Sequence, residues 1–121
     1  MRKILIVEDD KDMQEIYRVL FNDGGKYEIV IVGDANVALK KADAGKFDLI
    51  IHDIIMEPMP GDSFFVHARN NAKLKHVPIL VVSILKQDTR HFLETLGNFH
   101  YLQKPITRES LLKKIEEILS A

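Results

Sequence analysis

The residues of this 121-residue sequence that could do chemistry stand where apolar runs stop. ILIV ends on Glu8, Asp9 and Asp10, DLII leads to His52 and Asp53, PILVV ends on Ser83, and YLQ leads to Lys104 and Pro105. Carboxylates crowded on one rim repel each other, and a hard divalent cation relieves that repulsion; an all-oxygen set suits magnesium. A hydroxyl and an ammonium beside it suit an incoming anion. Asp53 follows residues that bury a strand, so its ionised form demands a compensating partner.

That chemistry requires the apolar runs to be neighbouring strands, and the residues between them read that way. Short β-branched runs at 3–7, 27–32, 47–53, 77–83 and 99–102 predict strands. Between the first two, Met13, Ile16, Tyr17, Leu20 and Phe21 recur at helical spacing over 11–22, with Asp10 as N-cap and Gly24 and Gly25 beyond the end. A helix over 34–44 is stopped by Gly45; Pro58, Pro60 and Gly61 break the chain after Asp53, and a helix over 62–73 follows. A more weakly patterned helix covers 86–96, and Thr107 caps a final one carrying Leu111, Leu112, Ile115, Ile118 and Leu119. Strands alternating with helices predict an α/β fold, (βα)5 and doubly wound, with a five-stranded parallel sheet covered on both faces. Ligands of such sheets bind beyond the carboxyl ends of the strands, where Glu8, Asp9, Asp53, Ser83 and Lys104 fall.

The composition narrows the function. With 46% apolar residues the chain is long enough for one domain, 1–121, with a real core. It has no cysteine, hence no disulfide framework, thiolate metal site or thiol nucleophile. A formal charge of −1 gives no electrostatic case for nucleic acid or membrane as partner. The opening apolar run is too short for a signal peptide, so a cytoplasmic location is expected.

These residues at these strand ends resemble the receiver domain of two-component response regulators, over the whole chain. ILIVEDD resembles the family's first strand and acidic pair, which implies metal ligation by Asp9 and, through water, Glu8. DLIIHDIIM implies that Asp53 is the phosphoacceptor and that the backbone carbonyl of Ile55 is a further ligand of Mg2+. Gly61, eight positions after Asp53, matches the glycine of the following loop. VVS implies Ser83 as the switch hydroxyl, and YLQKP implies Lys104 as the phosphate-binding lysine before a proline that is usually cis, with Tyr101 as the aromatic switch. The resemblance further implies a flavodoxin-like strand order of 2-1-3-4-5 with five helices. It implies a signalling protein that catalyses only its own phosphorylation and dephosphorylation. Its phosphoryl donor would be a sensor histidine kinase or phosphotransfer protein, and its output would pass through the fourth helix, fifth strand and fifth helix.

Some positions depart from that pattern. Glu57 stands where a proline is usual, bulky Ile84 follows the switch hydroxyl, and Asn98, Phe99 and His100 replace acidic residues linked to dimers. Ile55 and Leu85, at the positions that flank the phosphoryl group in the family, are both apolar. His52 reads as a packing histidine, because strand alternation points it away from the side chain of Asp53. A phosphatase using an aspartate after a strand needs a second acid where Ile55 stands, and an FMN carrier needs a phosphate loop where the sequence has Glu8, Asp9 and Asp10. The competing reading is a receiver-like interaction module that signals without phosphorylation.

Overall fold

The structure, a computed structural model, describes residues 2–22, 25–54, 67–83 and 99–120. Its strands are β1 (Arg2–Val7), β2 (Tyr27–Val32), β3 (Leu49–Ile54), β4 (Ile79–Ser83) and β5 (Phe99–Gln103). They form one parallel sheet in the order β2-β1-β3-β4-β5. The expected fold class and strand order both hold. Helices α1 (Lys11–Phe21), α2 (Ala35–Ala44) and the C-terminal helix (Arg108–Ser120) are complete, and residues 67–70 are helical. The expected helix over 86–96 lies outside the described residues.

Strand alternation divides the core into two layers. Ile4 and Ile6 of β1, Leu49 and Ile51 of β3, and Leu80 and Val82 of β4 pack under Tyr17 of α1 and Leu111, Ile115 and Ile118 of the C-terminal helix. Leu5, Val7, Ile50, Ile79 and Val81 face the other way, onto Ala38 and Ala42 of α2 and onto Ala68 and Leu74. The central strands are thus apolar on both faces, as parallel strands under two helical layers must be. Edge strand β5 is half-buried along most of its length.

Side chains set the element boundaries. Asp10 accepts from Met13 N and caps α1, which ends at Phe21 with Asn22 as its C-cap. Asp34 stands outside α2 as its cap, accepting from Asn36 N at 2.6 Å and Val37 N at 3.1 Å. Gly45 closes α2 and Thr107 Oγ1 accepts from Ser110 N, both as expected. The helix expected over 62–73 ends at Asn70 instead of Lys73. Asn71 Oδ1 accepts from Lys73 N at 2.8 Å, turning the chain locally. Arg69 donates to the carbonyls of Leu74, Lys75 and Val77, which holds the turn against the helix.

The packing makes a direct test possible. Leu80, fully buried between β3 and β5, should cost about 2–5 kcal/mol when replaced by alanine. Val19, 67% exposed on α1, should change stability by less than about 0.5 kcal/mol on the same substitution. Urea denaturation of both variants measures the contrast.

Candidate functional site

The register of the sheet assembles the site. Ile6 pairs with Ile51 and Val7 with His52, so the residue after Val7, Glu8, runs alongside Asp53 and on the same face. On the other side Asp53 pairs with Val82, and Ile54 with Ser83, the last residue of β4. Ser83 in turn stands opposite Gln103, and the next residue is Lys104. The strand ends therefore meet where the chain order reverses about β1 and β3, the place such sheets offer a ligand.

Asp53 is the centre of this group, and its side chain has no exposed surface. Lys104 Nζ lies 2.8 Å from Asp53 Oδ1 as an ion pair, with the lysine side chain 18% exposed. The hydroxyl of Tyr17 donates to the other oxygen, Oδ2, at 2.8 Å. Burial chiefly, and the Asp53 charge after it, push the Tyr17 phenol far above its ordinary value, so it stays a donor. Tyr17 reads from the sequence as one more apolar position of α1. What marks it is its hydroxyl, since a buried phenol needs an acceptor.

Glu8 is buried as well, with Oε1 accepting from Asp10 N at 2.9 Å. Gln14 Nε2 donates to the Glu8 carbonyl at 2.6 Å and ties α1 to the exit of β1. Oε2 is buried without a hydrogen-bond partner among the described residues. Burial chiefly raises the Glu8 carboxyl to about 8; the Asp10 amide works against this, and the Asp53 charge adds to it. His52 is buried on the opposite face, and burial lowers it to about 4 against a hydrogen bond to the Asp53 backbone and the Asp9 charge. It is a neutral core histidine, in keeping with its expected packing place.

The predicted residues are not all drawn together. Glu8, Asp53 and Lys104 meet, while Asp9 is exposed two residues beyond the end of β1. Tyr101 packs half-buried with the α2-side core, on the face opposite the Asp53 side chain. The Lys104–Pro105 peptide is cis, as expected. Ile55, Glu57, Gly61, Ile84 and Leu85 lie outside the described residues.

The donors present have the right chemistry for a hard divalent cation: three oxygen acids, one of them with an orphaned buried oxygen. Among the described residues no three acidic or histidine side chains are already gathered closely enough to hold a metal ion.

Two buried groups set opposing pH slopes. The Glu8 contribution is complete below 4.5 and lost as pH rises to about 8, because only the folded protein keeps the proton. The His52 contribution is complete above 6.5 and lost as pH falls to about 4, because only the unfolded chain takes a proton. They oppose each other from 4.5 to 6.5, and Glu8 acts alone from 6.5 to about 8. The metal-free melting temperature should therefore fall over that upper interval, and Glu8→Gln should flatten the fall. Melting curves taken across pH in chelator test this; an unchanged slope in the variant removes Glu8 as the cause.

Comparison with known proteins agrees with this geometry. The chain is 34% identical over 117 residues to the chemotaxis protein CheY of Pseudomonas aeruginosa, covering 96% of this chain and 94% of that one. The solved structure of the Vibrio cholerae chemotaxis protein CheY4 superposes with a TM-score of 0.87 at 31% identity, covering 98% and 99% of the two chains. The receiver domain of a sensor histidine kinase from Pseudomonas aeruginosa, solved with a magnesium ion coordinated in its active site cleft, gives a TM-score of 0.85 at 25% identity over 99% and 98%. The response regulator receiver domain family matches residues 4–116, and with the sheet order, the Lys104–Asp53 pair and these likenesses the chain belongs to that family.

Proposed function

We propose that this receiver domain accepts a phosphoryl group on Asp53 from a phosphohistidine of a sensor histidine kinase or phosphotransfer protein, and signals by the resulting change of shape. The observation that carries the reading is the Lys104–Asp53 pair at the end of β3, a cation already seated on the nucleophile. An Asp53 oxygen forms the bond to phosphorus while the phosphorus–nitrogen bond breaks, and its electron pair stays on the donor imidazole. Lys104 then passes from the carboxylate to a phosphoryl oxygen. Glu8, Asp9, Asp53 and the Ile55 carbonyl would hold Mg2+, which when bound neutralises the phosphoryl oxygens.

Ser83 ends the strand next to Asp53 and Tyr101 lies one strand further, so a displacement at the phosphoryl group would pass through β4 to β5. The partner or output domain would read that edge of the sheet and the helices beside it. Among the described residues no helix is long and apolar enough to cross a membrane, and we place the domain in the cytoplasm with its kinase.

One observation favours the reading in which the domain signals without phosphorylation: the Asp53 side chain has no exposed surface. Intact mass after incubation with magnesium and a small acyl phosphate separates the two. Asp53 is expected to gain one phosphoryl group, and Asp53→Asn or excess chelator to abolish it. Labelling that survives in Asp53→Asn would sink the assignment.

The lifetime of the modified state is a second test. Ile55 and Leu85 cannot hydrogen-bond a water in line with the phosphorus, and a residue that orients such a water is typically worth about 10²–10⁴-fold in rate. Phosphorylated protein should decay slowly in magnesium, and Ile55→Asn or Leu85→Glu should accelerate it. Fast decay in the parent, or no acceleration in either variant, shows that the water is controlled elsewhere.

A further inference from the structure

The contact of Tyr17 with Asp53 has no role in phosphoryl transfer as proposed above. Tyr17 lies about two turns into α1, which runs down from the rim where the strand ends meet. Helical side chains tilt toward the N-terminus, so its ring points back up the helix within the buried layer that includes Ile6 and Ile51. The ring is fully buried, and its hydroxyl reaches Oδ2 of Asp53 at 2.8 Å from the core side. Lys104, part-exposed, takes Oδ1 at 2.8 Å. The two carboxylate oxygens are thus distinguished: one is anchored inward by a rigid helix, the other is paired with a flexible side chain near solvent.

We infer that Tyr17 is a positioning residue of the phosphoacceptor, holding Oδ2 so that Oδ1 takes the phosphoryl group and stabilising the free carboxylate over the acyl phosphate. The inference rests on Asp53 being phosphorylated. In the step, Oδ1 bonds to phosphorus, the donor imidazole leaves with its electron pair, and Oδ2 becomes the carbonyl oxygen of the acyl phosphate. Oδ2 loses its formal charge in that step. A hydrogen bond to a charged acceptor is roughly twice as strong as one to a neutral acceptor, so Tyr17 favours the carboxylate. The bond does not exclude a cation, because a carboxylate oxygen accepts in more than one direction. Tyr17 would then set how far a given donor drives the domain into its phosphorylated form.

Beryllofluoride, which adds to a carboxylate as a phosphoryl group does, gives this an equilibrium readout. Calorimetric titration in magnesium of the full chain, Tyr17→Phe and Asp53→Asn is the experiment. Tyr17→Phe should melt lower when free, since it leaves a buried oxygen short of a donor, and should bind beryllofluoride about fivefold to tenfold more tightly. A purely structural Tyr17 would lower the melting temperature and leave the affinity unchanged, so an affinity within about twofold of the parent, or weaker, overturns the inference. No binding by the parent, or binding by Asp53→Asn, removes the phosphoacceptor reading itself and Tyr17's role with it. If Tyr17→Phe does not fold, the double variant Tyr27→Phe, Tyr101→Phe keeps Tyr17 as the sole tyrosine of the original three. The Cζ resonance of that tyrosine should shift on beryllofluoride addition toward a weaker hydrogen bond, and an unmoved resonance overturns the inference.

Discussion

A carboxylate with no exposed surface must find inside the protein what water would otherwise supply, and the satisfaction of Asp53 is the constraint on which the rest of this structure turns. Its two oxygens are met by groups from opposite ends of the chain, Tyr17 on α1 and Lys104 just beyond β5. Neither would reach it in another topology. β1 must lie beside β3 for the helix following β1 to cover that face, and β4 must bring β5 near enough for a lysine to span the gap. A one-residue slip of β3 would turn Asp53 to the α2 face, where Ala38 and Ala42 offer no partner for a charge. Removing one member of a buried ion pair typically costs about 3–5 kcal/mol, so sheet register and site integrity are one requirement.

How much of this is legible in the sequence depends on whether the information is local. Strand ends are local, because apolar runs stop abruptly at Glu8, Asp53 and Ser83, and the structure places each at a carboxyl-terminal strand edge. Caps are local too: Asp10, Asp34 and Thr107 act within four residues of themselves. Strand order is not, and it was the resemblance that supplied it. Tyr17 was hidden for a related reason. On a helical stripe a phenol and a phenylalanine count alike, and only the partner across the core, 36 residues away, shows that the hydroxyl matters. The early end of the helix at Asn70 was hidden because Arg69 grips carbonyls as far on as Val77. Adjacent acids posed the same problem: alternation says that one of Glu8 and Asp9 shares the Asp53 face, and the register identifies Glu8.

The resting site holds its polar groups in partnerships that differ in rigidity. Tyr17 is fixed by a helix packed on the sheet, and Gln14 on the same helix holds the Glu8 carbonyl. Lys104 sits past an edge strand with part of its chain in solvent, so it can change partner while its charge stays compensated. An anion arriving at Oδ1 therefore meets a movable cation on one side and an immovable hydrogen bond on the other. On the proposed reading that asymmetry favours a displacement toward β4 and β5, on the side of the movable cation.

Charge balance shows why the ammonium cannot serve such an anion alone. Glu8, Asp9 and Asp53 bring three acidic groups to a rim where Lys104 is the cation paired with Asp53. Burial chiefly, with the Asp53 charge adding to it, raises the Glu8 carboxyl and works against a further charge there. A phosphoryl group brings about two negative charges near neutral pH while Asp53 gives up its own, so the site gains about one. Protonating the carboxyls would weaken the nucleophile, whereas a divalent cation would offset the added charge. On the proposed reading a divalent cation would thus meet an excess of acid on this rim that one ammonium, Lys104, leaves uncompensated.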